Sequence, residues 1–335
     1  MSYSDKAQKT WRHGNLDLAT NVFTELVRYA TLAASSHNTQ PWRFKLERNG
    51  IWVLPDVSRR CPAVDPDDHH LFASLGCATE NLMLAAQAAG LKGRCRFDAS
   101  TSGVFIEFET APPTRSPLFD AIPHRQCCRT EYDGKPLSEA DLKHIQNSGC
   151  GDGVSTLLIT DTRGKALVTG YVVKGNNAQF ADRAWANELK SWIRFSANEA
   201  VQTCDGLYGP AMGNPSVPRW LGLLAMKATF SANQQNSKDR RHIQSSSALA
   251  VIYSECDDIP HWIEAGRCYQ RLALQVTALG LKTAFINQPV EVANLRGEFA
   301  RAIGIGDRRP DLAVRIGHGP EMPRSLRRPV EDVLR

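Results

Sequence analysis

An α+β fold built from two related halves is what this 335-residue sequence predicts. Three observations carry it. Gly76, Leu82, Leu84, Gly90, Leu91 and Lys92 recur 190 positions later as Gly266, Leu272, Leu274, Gly280, Leu281 and Lys282, and an internal repeat of this length points to a doubled unit. Helical and strand-like patterns follow one another in the same order on both sides of a Pro-rich linker, as a mixed fold requires. The polar motifs, by contrast, are not doubled. A Ser/Asn/Gln loop lies only in the first half and an arginine pair only in the second, so the halves are expected to build one composite site.

In the first half, 1–112, residues 15–34 carry Leu16, Val22, Leu26, Tyr29, Ala30 and Ala33 at helical spacing. Trp42–Glu47 and 51–55 are β-prone, and Arg48-Asn49-Gly50 between them is a hairpin signal. Residues 71–91 read as a long Leu/Ala-rich helix closed by Gly93, and 104–109 alternate as a strand. Residues 111–117 contain Pro112, Pro113 and Pro117 and form the best linker.

The second half, 118–335, replays this order. Ser138-Glu-Ala-Asp141 resembles a capping box, and its helix ends at the glycine-rich loop 148–153. A strand over 156–160 answers the first-half strand 112 positions earlier, and a helix over 262–281 answers the first-half helix 190 earlier. The offset grows by 78, so an insert of about that size is expected at 164–245. It would hold a helix over 178–195, a Gly/Pro-rich loop over 205–218 and an apolar stretch over 220–230, read either as a lid or as ordinary core. Strands Ala248–Ser254, 283–287 and 312–317 complete the pattern.

Composition narrows the class. Hydrophobic residues make up 42% and charged residues 22%, which places the chain among ordinary globular proteins. No apolar run approaches the ~20 residues of a membrane span, and the polar start of the chain lacks the apolar core of a secretory signal. Nine cysteines, odd in number and without a C-x-x-C pair, suggest reduced thiols in a cytoplasmic setting. A net charge of +5 sits partly in Arg324, Arg327, Arg328 and Arg335. A local anion site explains it as well as nucleic acid would; neither nucleic acid nor membrane is expected as a partner.

The segment Ala33-Ala-Ser-Ser-His-Asn-Thr-Gln-Pro-Trp42 resembles the A-P-S-x-x-N-x-Q-P-W motif of the FMN-dependent nitroreductase family. Residues 75–91 resemble that family's dimer-core helix. Arg125-Gln-Cys-Cys-Arg129 resembles its R-x-x-x-R phosphate segment, and Arg327-Arg-Pro-Val-Glu-Asp-Val333 its C-terminal arginine motif. The fused, Acg-like branch is the nearest in layout. The resemblance implies an internal pseudo-dimer in place of a homodimer, so that a monomer suffices. It implies one FMN per chain, with NADH or NADPH as donor and a nitroaromatic or quinone as acceptor.

The implied flavin site comprises Ser35, Ser36, His37, Asn38 and Gln40 at the ring edge and ribityl chain, with Arg125, Arg129, Arg324, Arg327 and Arg328 for the phosphate. The chemistry agrees. Guanidinium forks suit a phosphate, and short polar groups suit the ring edge and ribityl hydroxyls. Because the flavin carries the chemistry, no protein nucleophile or metal is expected. Ala34 departs from the motif's proline, and Cys127 and Cys128 replace the usual hydroxyl or amide side chains with weak hydrogen-bonding thiols. His37 is read either as a donor to flavin or substrate or as a solvent-facing loop residue. Two other functions remain open: a flavin-storing protein with a blocked site, and a scaffold for another phosphate ligand.

Overall fold

The computed structural model describes residues 1–16 and 22–335. The first half forms an antiparallel sheet of β1 (Trp42–Glu47), β2 (Gly50–Pro55), β3 (Leu91–Asp98) and β4 (Gly103–Thr110), in the order β1-β2-β4-β3. In the second half β5 (Val154–Ile159) is followed by an insert holding two short parallel strands, β6 (Ile193–Arg194) and β7 (Leu207–Tyr208). Then β8 (Ala248–Ser254), β9 (Lys282–Phe285) and β10 (Arg309–Gly317) join β5 in the order β5-β8-β10-β9. The two sheets share one topology, and β5 starts 112 residues after β1.

Between the second and third strands of each sheet runs a 20-residue helix, His69–Ala88 and Ile259–Ala278, and the two start 190 residues apart. They cross where the repeated glycines meet. A Cβ on Gly76 would lie 1.9 Å from the Ile263 carbonyl oxygen, and one on Gly266 would lie 1.9 Å from that of Ala73. Ala73 and Ile263 are themselves 190 apart, so the contact is reciprocal, as about a twofold axis. Both helices end at a repeated glycine with positive φ, Gly90 at 83° and Gly280 at 74°. The expected stop at Gly93 is therefore corrected: Gly90 ends the helix, because only glycine takes that left-handed turn without strain. Gly93 lies inside β3.

The halves cannot be separated energetically. Leu26, Trp42, Leu75 and Leu82 share one continuous buried cluster with Tyr269, Leu272, Leu274 and Val314. The chain's last segment returns to the first half, where the Arg335 N–H donates to the Phe44 carbonyl at 2.8 Å. This arm carries the C-terminal arginines across.

The insert replaces the two-residue β1–β2 turn and contains the helices Thr162–Ala181, Arg183–Trp192, Ala197–Thr203, Arg219–Thr229 and Ala232–Gln244. The single helix expected over 178–195 is corrected to two. Asp182 breaks the run and caps the second helix by accepting from the Ala184 N–H. The start was misplaced because Gly164, Gly170 and Gly175, among valines and asparagines, disguise the earlier turns. Of the expected helix over 15–34, Val22–Thr31 is helical, Asn15 and Leu16 are not, and 17–21 lie outside the described residues. Among the described residues no helix is long and apolar enough to cross a membrane.

Candidate functional site

A cavity of about 610 Å³ opens where the loop after Ala34, the segment after Pro123, the C-terminal arm and the insert converge. That volume suits a cofactor-sized ligand. The loop is strained: His37, Asn38 and Gln40 have φ of 48°, 55° and 55°, each costing about 1–3 kcal/mol in a non-glycine residue. Its hydrogen bonds show what holds it. Asn38 Nδ2 donates to the Gly206 and Leu326 carbonyls at 3.0 and 3.2 Å, while its Oδ1 accepts from Arg327 at 2.8 Å. Gln40 donates to the Cys204 carbonyl and accepts from the Arg328 N–H, both at 2.8 Å.

Of the sequence-derived candidates, Ser35, Ser36, His37, Asn38, Arg125, Arg129, Arg324 and Arg327 line the cavity. Gln40 and Arg328 do not. Gln40 is buried as a staple between loop, insert and arm, and the Arg328 side chain turns away from the cavity to the Asp332 carbonyl and Asp56.

Three guanidinium groups define one end of the cavity. Arg125 and Arg327 are buried and both donate to the Leu32 carbonyl, at 3.2 and 3.4 Å, and Arg327 reaches Ala33 at 3.1 Å. These carbonyls lie just past the end of the Val22–Thr31 helix, whose dipole favours cations. Arg324 donates to the carbonyls of Pro123 and His124. None of the three pairs with a carboxylate among the described residues, and the Nε atoms of Arg125 and Arg327 are buried without any acceptor. Burial, then repulsion from Arg125, pushes Arg327 well below the usual guanidinium range. An unpaired buried cation is costly, so this cluster is complementary to an anion with several acceptor oxygens.

A second cationic edge lies elsewhere in the cavity. Arg129 and Lys238 both line it, and burial holds Lys238 below its ordinary value against the opposing Asp239 charge, with Arg129 adding to the lowering. Burial and the Arg129 charge push His37 down to about 4, so it is neutral near pH 7. The two arginines of the R-x-x-x-R segment thus serve different ends: Arg125 faces Arg327, while Arg129 faces His37 and Lys238.

Several lining residues escaped the sequence reading. Ser74 accepts from the Ser36 N–H at 3.3 Å. His70 contacts Asp65 through Nδ1 at 3.2 Å; burial opposes its charge, but the Asp65 hydrogen bond and charge prevail and raise it. Trp11 and Lys238 also line the cavity, and no motif announced them. The insert supplies Phe180, Trp185 and Phe230, with the Phe180 and Phe230 ring centroids 4.5 Å apart. The helix Arg219–Thr229 turns Gly222, Ala225 and Met226 to the cavity and leaves Trp220 and Leu224 exposed.

The twofold-related position is built from the same scaffold and is closed. Adding 190 to Ser74, Cys77 and Asn81 gives Glu264, Arg267 and Arg271. Arg267 pairs with Glu80 at 3.0 Å and Glu264 at 2.7 Å, and Arg271 with the same two carboxylates at 2.9 and 3.1 Å. The loop over 148–153 is tied down by Arg271, which donates to the Ser148 and Cys150 carbonyls.

No profile of a known protein family matches the chain. A protein of Mycobacterium tuberculosis named "Putative NAD(P)H nitroreductase Rv3131" is 25% identical over 332 residues, covering 91% of this chain and 88% of its own length. The same organism's "Putative NAD(P)H nitroreductase acg" is 22% identical over 334 residues, covering 95% and 96%. Among solved structures, the FMN-dependent nitroreductase NfnB from Mycobacterium smegmatis, in complex with NADPH, overlaps 65% of this chain and 97% of its own, at 11% identity and a TM-score of 0.42. Over nearly its full length the chain is thus similar to two curated relatives, both named putative NAD(P)H nitroreductases.

Proposed function

We propose that the chain binds one FMN in this cavity and passes electrons from NADH or NADPH to a small acceptor such as a nitroaromatic or quinone. The observation that carries the reading is the trio Arg125, Arg324 and Arg327, converging without a carboxylate and with two orphaned Nε atoms. A phosphate monoester supplies the missing charge and acceptors in the fork geometry guanidinium favours. When bound, the flavin accepts and returns hydride equivalents. The chain's own residues bind and orient: the arginine trio anchors the phosphate, while Ser35, Ser36, His37, Arg129 and Lys238 face the remainder. Phe180, Trp185 and Phe230 exclude water from the opposite wall. The names of the relatives support the same chemistry.

The closed twofold-related position supports one FMN per chain, and the shared core supports a monomer as the working unit. Nine free thiols fit a reducing, cytoplasmic setting. One observation favours a second reading, flavin storage: the insert walls the cavity with an aromatic cluster that would keep out a nicotinamide. Purified FMN-loaded protein mixed with NADH or NADPH and an artificial acceptor separates the two. Sustained oxidation supports the oxidoreductase, and a stable flavin spectrum without turnover supports storage.

A further inference from the structure

We infer that Trp11 is a positioning residue that holds the C-terminal arginine arm in its anion-binding posture, and that it thereby sets the cavity's preference for a phosphorylated over an unphosphorylated flavin. The inference rests on the FMN reading above. Trp11 follows the N-terminal helix Tyr3–Thr10, closed by its own N–H donating to the Ala7 carbonyl at 3.0 Å. Its indole Nε1 donates to the Ser325 carbonyl at 2.9 Å, and Tyr3 donates through its hydroxyl to the Arg324 carbonyl. Two consecutive residues of the arm are thus fixed by one short helix.

The ring does more than pin backbone. The guanidinium carbon of Arg327 stands 4.7 Å from the indole centroid and that of Arg324 stands 5.4 Å away. An aromatic face attracts a cation through its quadrupole and carries no formal negative charge. A carboxylate in the same place would neutralise the cations and occupy their N–H donors, as Glu80 and Glu264 do for Arg267 and Arg271. Trp11 therefore gathers two like charges without neutralising them, and the Arg327 Nε is left without an acceptor. The helix is braced at its far side by the insert: the rings of Tyr3 and Tyr208 lie 4.4 Å apart, and Lys6 donates to the Val201 carbonyl at 3.0 Å. Rigid anchorage on both sides gives the ring a fixed place under the arm.

The test measures equilibrium binding of FMN and of riboflavin, by flavin fluorescence, to the full chain and to Trp11→Leu and Trp11→Phe. The leucine keeps apolar bulk without a π-face, and the phenylalanine keeps the face. Trp11→Leu is expected to weaken FMN binding about tenfold, the scale of a desolvated cation–π contact, and to leave riboflavin binding unchanged. Trp11→Phe should restore most of the FMN preference. Equal weakening of both ligands in Trp11→Leu, with matching circular dichroism, would reduce Trp11 to ordinary packing and overturn the inference, as would unchanged FMN affinity. If Trp11→Leu fails to fold, Trp11→Met, which also lacks the π-face, takes its place: an FMN-to-riboflavin ratio lowered towards that of Arg327→Ala upholds the inference, and a retained ratio overturns it. A native chain that binds FMN no better than riboflavin would instead strike at the FMN reading itself.

Discussion

Two positions related by the twofold axis differ most plainly in the balance of their charges. At the open position Arg125, Arg324 and Arg327 converge with carbonyls and an indole ring but no carboxylate. At the closed position Arg267 and Arg271 share Glu80 and Glu264 in a four-member ionic network. The crossing helices, their glycines and the sheets behind them are common to both. A duplicated scaffold can therefore keep one binding site and lose the other when the loop, the arm, the insert and the charges around it differ between the copies.

The largest effect should come from the crossing that both positions hang on. Gly266→Val puts a side chain where even a Cβ would lie 1.9 Å from the Ala73 carbonyl oxygen. Backbone must move on both helices, and a loss of about 3 kcal/mol or more is expected, checked by urea unfolding. Arg125→Ala tests the open position alone. It should weaken FMN retention about 100-fold, in line with loss of a buried charge-assisted contact, while circular dichroism stays native. Unchanged flavin content would remove Arg125 from the phosphate site.

At the closed position, Glu80→Gln leaves two arginines to share one carboxylate. A destabilisation of about 2 kcal/mol is expected, since the network is only partly exposed, and FMN affinity at the open position should not change. The smallest effect at neutral pH is a pH dependence, which grows only on acidification. Because His37 falls from 6.5 to about 4 in the folded chain, the unfolded chain binds more protons between these values. Stability without ligand should therefore decline as pH falls from 6.5 towards 4. His37→Gln should flatten that limb in thermal melts, and an unaltered limb would place the acid sensitivity elsewhere.

Much of this comparison was legible in the sequence, for identifiable reasons. Gly76, Gly90, Gly266 and Gly280 recur because backbone contact and positive φ admit little else, so the repeat announced the helix crossing and the helix ends. Offsets of 112 and 190 located the insert between β5 and β8 because strand and helix lengths were kept. β3 was missed because Lys92, Arg94 and Arg96 alternate with Gly93 and Cys95, without the β-branched residues that mark a strand. Trp11 and Lys238 were missed for another reason. Each reaches the cavity from an element outside the repeated unit, so no internal copy and no motif spacing pointed to it. Gln40 shows the opposite limit: a motif residue can be required for holding the loop's shape, with both its amide atoms already used.

The most direct test of the account is a visible-absorbance titration of the purified chain with FMN, carried to a stoichiometric endpoint. Saturation at one equivalent is the predicted result, with the open position filled and the ionic network excluding a second flavin. Saturation at two equivalents would show that the paired arginines do not close their site, and no bound flavin at any concentration would contradict the FMN reading of the unpaired ones.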